Sequence, residues 1–183
     1  MSMTTLAKHI ACMVILVATL FSCNQNPSLQ TYYVDNQEKP NFLSVDIPAN
    51  FLNLDESSLT EEQKEAYESI DKLNMLAYRL TANNETEYNT ELLKVKTILE
   101  DPKYEELMRG GNAVDGKFVI KILGEEDNIE EFILFGSSND KGFAIVRVLG
   151  DEMNPMKIMN LVSALDKANV DDAQAQEFMN FFK

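Results

Sequence analysis

Three short apolar runs near the C-terminal half constrain the fold most: Lys117 to Leu123, Ile129 to Phe135 and Gly142 to Leu149. The links between them, Gly124-Glu125-Glu126-Asp127-Asn128 and Ser137-Ser138-Asn139-Asp140-Lys141, are rich in turn residues and too short for a crossover. Neighbours joined this closely pair antiparallel, so these runs form a three-stranded meander. Phe143-Ala144-Ile145-Val146 is apolar on both sides of its alternation, as expected of an interior strand.

Upstream, Phe42, Ser44 and Asp46 alternate with Leu43, Val45 and Ile47, predicting a half-buried strand closed by Pro48. A short helical turn follows through Phe51 and Leu54. Thr60 and Gln63 form a capping box that opens a helix through Ile70, with Ala66, Tyr67 and Ile70 inward. Leu73 to Leu80 reads as a strand. Asn84 then caps a helix whose Tyr88, Leu92, Val95 and Leu99 share one face. Asp101-Pro102 predicts a further short helix carrying Tyr104, Leu107 and Met108, stopped by Gly110-Gly111. After the meander, Asn154-Pro155 opens a helix through Leu165 with Ile158, Leu161, Val162 and Leu165 inward, and a last helix runs from Asp171 to Phe182. The sum predicts an α+β fold: a mixed five-stranded sheet ending in the meander, with helices packed on it. There is no internal repeat.

The N-terminus carries an address. Lys8 and His9 precede the apolar run Ile10 to Phe21, which is shorter than the roughly 20 residues of a membrane span, although an uncut helix stretched back to Met3 is the alternative. The run ends Leu20-Phe21-Ser22-Cys23, which resembles a bacterial lipobox, with Phe21 bulkier than the strict pattern; an ordinary secretory signal is the other reading. Residues 1–22 are therefore expected to be a lipoprotein signal peptide and Cys23 the lipidated residue. Residues 23–40 read as a polar tether, 41–166 as the α+β domain and 167–183 as an amphipathic C-terminal helix.

Cleavage before Cys23 removes His9 and Cys12, the only histidine and the only other cysteine. That inventory leaves no disulfide, no thiol nucleophile beside the lipidated residue, no histidine-based acid/base chemistry and no zinc site built on imidazole or thiolate. It also leaves 15 basic against 30 acidic residues. Such a surface repels nucleic acid and anionic headgroups. The acid excess is read as solubility in preference to a basic partner or a cation.

The order of elements and several stretches resemble the family called domain of unknown function 4252, small envelope lipoproteins of Bacteroidota. The likeness runs over residues 42–165. It is carried by Phe42-Leu43-Ser44-Val45-Asp46-Ile47-Pro48, Tyr104-Glu105-Glu106-Leu107-Met108, Lys117-Phe118-Val119-Ile120-Lys121, Glu130 to Gly136 and Phe143 to Asp151. The resemblance implies a Gram-negative envelope and no activity, and it carries over no site residue except Cys23. The tail after Leu165 is longer than the family's core.

No catalytic, cofactor or metal site is assigned. Glu105-Glu106 and Glu130-Glu131 are carboxylate pairs, but adjacent residues diverge, whereas glycosidase carboxyls converge about 5–9 Å apart; a solvated face is preferred. The two acidic loops lack the spacing of a calcium loop. Gly110-Gly111-Asn112 lacks the lysine and the preceding strand of a phosphate loop, and Asn84-Glu85-Thr86 is read as a helix start rather than a glycosylation site. In the tail, Phe178, Met179, Phe181 and Phe182 pack on the domain or, left exposed, bind a partner. The expectation is a non-enzymatic binding or adaptor lipoprotein on the periplasmic face of the outer membrane, held by lipid on Cys23 and meeting an envelope protein. A carboxylate-dependent hydrolase acting on glycans and a purely structural lipoprotein are the alternatives.

Overall fold

The computed structural model describes residues 27–49, 59–112, 114, 116–125 and 128–165, with side chains to 161. The signal segment, Cys23, the turn through Phe51 and Leu54, and the tail with Phe178, Met179, Phe181 and Phe182 lie outside the described residues.

The meander is present and longer than expected. Strands β1 (Phe42–Pro48), β2 (Ile70–Arg79), β3 (Glu105–Asn112), β4 (Gly116–Glu125), β5 (Asn128–Ser138) and β6 (Gly142–Met153) form one sheet in the order β1-β2-β6-β5-β4-β3. Every neighbouring pair is antiparallel. The expected mixed five-stranded sheet is thus corrected to six antiparallel strands. The added strand is β3, where helix signals predict a helix ended by Gly110-Gly111. Leu107 and Met108 are 40% and 47% exposed there, so they form no buried helical stripe. Pairing with β4 overrides local propensity, and a register shift between Glu106 and Met108 bends this edge.

Helices lie on both faces. Helix α1 (Leu29–Asn36) and α3 (Glu85–Leu99) cover one face, while α2 (Glu61–Glu68) and α4 (Pro155–Leu165) cover the other. Helix α3 carries the chain from β2 across to β3 on the far edge, and the meander β3 to β6 returns it to β2. That path makes β6 central, as its sequence predicts. One side of β6 is sealed by Phe143 and Ile145, whereas Ala144 and Val146 on the other are only half-buried.

Helix α1 occupies the middle of the segment read as a tether. Ser28 caps it by accepting from the Thr31 amide, and Leu29, Tyr32, Tyr33 and Asn36 are buried at helical spacing. The predicted capping box of α2 forms, but the helix stops at Glu68 and β2 begins at Ile70, earlier than Leu73. Asn84 starts α3 without capping it; its side chain accepts from the Thr81 amide and donates to the Arg79 carbonyl, fixing the turn before the helix. Asn154 caps α4 by accepting from the Met156 and Lys157 amides.

Two cores result. The larger joins α1 and α3 to Leu76, Tyr78, Phe135, Phe143 and Ile145; Phe42 meets the Tyr78 ring edge-on at 4.8 Å, and Tyr78 stacks on Phe143 at 5.6 Å. The smaller joins Ala66, Ile158 and Leu161 to Ile120, Ile122, Ile129 and Phe132. At the turn into β6, Gly142 has φ +127°, and a Cβ there would stand 1.9 Å from the Tyr78 carbonyl oxygen, so only glycine lets β6 meet β2 at this point.

Leu29 separates a packed helix from a solvated tether. Because it is fully buried, Leu29→Ala in a soluble Cys23→Ser chain is expected to cost about 2–5 kcal/mol. Urea unfolding measures it, and a cost near zero would return residues 29–36 to the tether.

Candidate functional site

Polar chemistry concentrates on the face covered by α1 and α3. The strand register aligns Asp46, Asn74 and Arg147 across β1, β2 and β6, and Glu131 on β5 lies two residues along from Ile133, which opposes Arg147. Asn74 donates to the Asp46 carboxylate. The Arg147 guanidinium grips Glu131 with two parallel bonds, Nε to Oε1 at 2.5 Å and Nη2 to Oε2 at 2.8 Å. Arg147 and Glu131 are 5% and 4% exposed. Glu131 therefore departs from the solvated face expected for the Glu130-Glu131 pair, while Glu130 keeps to it.

Tyr33 closes this network from α1. Its ring lies 5.1 Å from the Arg147 guanidinium carbon, and its hydroxyl proton is shared between the Ile145 carbonyl at 2.7 Å and the Asn74 carbonyl at 3.0 Å. Burial raises the Tyr33 pKa well above its ordinary value, with Arg147 pulling the other way. Burial also works against the charge on Arg147, but the bonds to Glu131 more than offset it and leave the Arg147 pKa raised. A second buried carboxylate, Glu91 on α3, accepts from the Tyr32 hydroxyl at 2.8 Å and from Lys94 at 2.6 Å. These buried ions are matched to one another, which is the chemistry of a structural network.

Three concave surfaces lie at the margins of the helices. Between α1 and α3, a mainly apolar groove of about 500 Å³ runs past Tyr32, Leu93 and Ile98. Where the end of α3 meets β3 and β4, a depression of about 290 Å³ has Leu99, Val119 and Phe135 among its walls and Lys96, Arg109, Lys117 and Lys121 around it. Arg109 pairs with Glu106, whose pKa is lowered chiefly by that bond, and Lys121 donates to the Tyr104 carbonyl at 2.9 Å. A third concavity, about 370 Å³, is bordered by Glu65, Glu68, Asp151 and Glu152.

Sequence reading placed no site residue in these regions. Glu105 and Glu106 occupy opposite faces of β3 and do not converge. The basic margin was legible in part: Lys117, Val119 and Lys121 share one side of β4 by simple alternation. Lys96 and Arg109 join them only through the packing of α3 beside β3. Among the described residues, no group of three or more His, Cys, Asp or Glu side chains could hold a metal ion, and no helix is long and apolar enough to cross a membrane.

Two measurements address the network. Arg147→Met leaves Glu131 buried without its partner and is expected to cost about 3–5 kcal/mol, most of which returns in the Glu131→Leu/Arg147→Met double variant. Denaturant unfolding of the three chains checks this, and equal losses in single and double variants would refute it.

The tyrosines set an alkaline limit. Burial is the leading cause that raises the pKa values of Tyr32, Tyr33, Tyr78 and Tyr88 above the ordinary 10.0. Above pH 10 the unfolded chain releases these protons while the folded chain retains them, so stability present below pH 10 falls as pH rises toward the folded values. Phenolate absorbance of these four should appear together with loss of the fold; their ionisation in a still-folded chain would contradict this.

A family model described as "Domain of unknown function (DUF4252)" matches residues 32–161. No curated protein and no solved structure matches the chain in the comparisons made.

Proposed function

The chain belongs to the DUF4252 family, a domain of unknown function, and from that premise we propose a membrane-anchored envelope lipoprotein whose domain binds and does not catalyse. The observation that carries this reading is the commitment of the buried ionisable groups. Glu131 and Arg147 hold each other, and Glu91 is held by Tyr32 and Lys94. A catalytic acid or base needs a perturbed group left free in a cleft, and these groups are neither free nor in one.

The anchor in this proposal is lipid on Cys23, and α1 sharpens its consequence. Only Asn24 to Ser28 separate that residue from the first residue of the helix. Five residues at about 3.3–3.6 Å each hold the domain within about 20 Å of the lipid. The domain then works against the membrane surface and meets partners there. Asn24 after the cysteine, with no acidic run following, supports the periplasmic face of a Bacteroidota outer membrane, in line with the lipobox-like sequence.

One observation favours the glycan-hydrolase alternative: Glu65, Glu68, Asp151 and Glu152 border a single concavity. Against it, all four are exposed and Glu65 pairs with Lys157, so burial does not prepare any of them as a general acid. The apolar groove between α1 and α3 and the basic depression supply what a purely structural lipoprotein has no need of.

In cells, Cys23→Ser should abolish incorporation of a labelled fatty acid and release folded protein from the membrane fraction, while unaltered protein incubated with envelope glycans should release no reducing ends. Continued labelling would overturn the anchor. Glycan cleavage lost in Asp151→Asn would replace binding with hydrolysis, and cross-linking in cells that captured no envelope protein would count against an adaptor.

A further inference from the structure

The depression between the end of α3 and strands β3 and β4 inverts the charge of the molecule around it. Four of the 13 lysines and arginines among the described residues line it, but only two of the 21 described aspartates and glutamates. Even those two do not neutralise it: Glu106 is already spent on Arg109, which leaves Glu100 facing three lysines. Lys96 on α3 and Lys117 on β4 are exposed and have no ion-pair or hydrogen-bond partner among the described residues. Acidic side chains outnumber basic ones two to one after residue 22, so uncommitted cations gathered at one concavity are not the background of this surface.

The walls between these cations are carbon. Leu99 and Phe135 are 3% and 5% exposed and so are anchored in the larger core, and Val119 between Lys117 and Lys121 is half-buried. A volume of about 290 Å³ is at the lower limit of small-molecule sites, which run from about 300 to 1,000 Å³.

We propose that this depression binds a small amphiphilic anion, a compact apolar body resting on Leu99, Val119 and Phe135 with a carboxylate, sulfonate or phosphate group met by Lys96 and Lys117. This deepens the reading of the domain as a binding module and is independent of the lipid on Cys23. The occupant is a free molecule and not the headgroup of an anionic bilayer. A bilayer would confront the whole acidic surface, whereas a small solute meets only the local field. Arg109 and Lys121 hold the strand side of the margin through Glu106 and the Tyr104 carbonyl, so Lys96 and Lys117, whose side chains have no partner among the described residues, carry the recognition.

The test uses the soluble Cys23→Ser chain and two fluorescent probes of matched aromatic body, anionic 8-anilinonaphthalene-1-sulfonate and uncharged N-phenyl-1-naphthylamine. The sulfonate is expected to bind at one site, and Lys96→Gln/Lys117→Gln to weaken it at least tenfold while affinity for the uncharged probe changes less than twofold. The pair Lys64→Gln/Lys72→Gln removes the same charge from α2 and β2 and should leave both affinities within twofold. A sulfonate affinity indifferent to Lys96 and Lys117, or lowered equally by the distant pair, overturns the site. Binding to vesicles containing phosphatidylglycerol in place of the soluble probe overturns the free ligand. Thermal melting confirms that each variant is folded, and Val119→Lys, which places a further cation over the carbon wall, should abolish the uncharged probe first. Failure here leaves fatty-acid labelling at Cys23 untouched, and failure of labelling leaves this titration untouched.

Discussion

Arg147 lies in the middle of the sheet, on the strand with neighbours on both sides and a helix layer above, where water cannot solvate its charge. An ion held there costs several kcal/mol unless its partners are placed correctly, and here the two partners come from different elements: Glu131 from β5 and Tyr33 from α1. The network therefore specifies an arrangement more than it stabilises one. A slip of one residue between β5 and β6 would turn Glu131 to the other face and strand the guanidinium. Because Tyr33 bonds to backbone carbonyls of β2 and β6, the same constraint fixes where the first helix docks.

The two faces of the sheet divide the work. The face bearing the network also holds the aromatic cluster of Phe42, Tyr78, Tyr88 and Phe143, whose edge-on and stacked contacts give it defined geometry. The opposite face is built mainly from aliphatic contacts, with Phe132 among them, under α2 and α4, and Leu134 and Phe118 are left 40% and 38% exposed beyond them. Stability and specificity are thus concentrated on the side of α1, the element nearest the expected anchor. A short tether and a firmly docked first helix together give a lipid-held domain little freedom to lean away from the membrane.

The functional reading follows from what the buried charges are doing. Ions that satisfy each other hold the fold in register, and the surface keeps the groups still free to meet a ligand. In a strongly acidic chain those free groups are informative when they are lysines, and Lys96 and Lys117 line the same depression as Leu99 and Phe135, whose side chains belong to the core.

Local signals sufficed wherever an element's own pattern carried its burial. The capping box at Thr60, the Asn154 cap, the alternation in β1 and the meander with its turn loops were all legible because period and turn chemistry are properties of contiguous residues. The inventory without histidine or a second thiol, and the apolar run ending at Cys23, belong to the sequence in the same way. Tertiary structure decided the rest. Residues 105–109 have helical character yet form an edge strand, since β4 offers a ladder of backbone partners that no local preference outweighs. The helical spacing of Leu29, Tyr32, Tyr33 and Asn36 was present in a polar segment, but it gained meaning only from the sheet that buries it. Arg147 meets Glu131 through register, Lys96 and Lys117 come to line one depression through helix placement, and the order of strands in space is set by packing free energy between residues far apart in the chain.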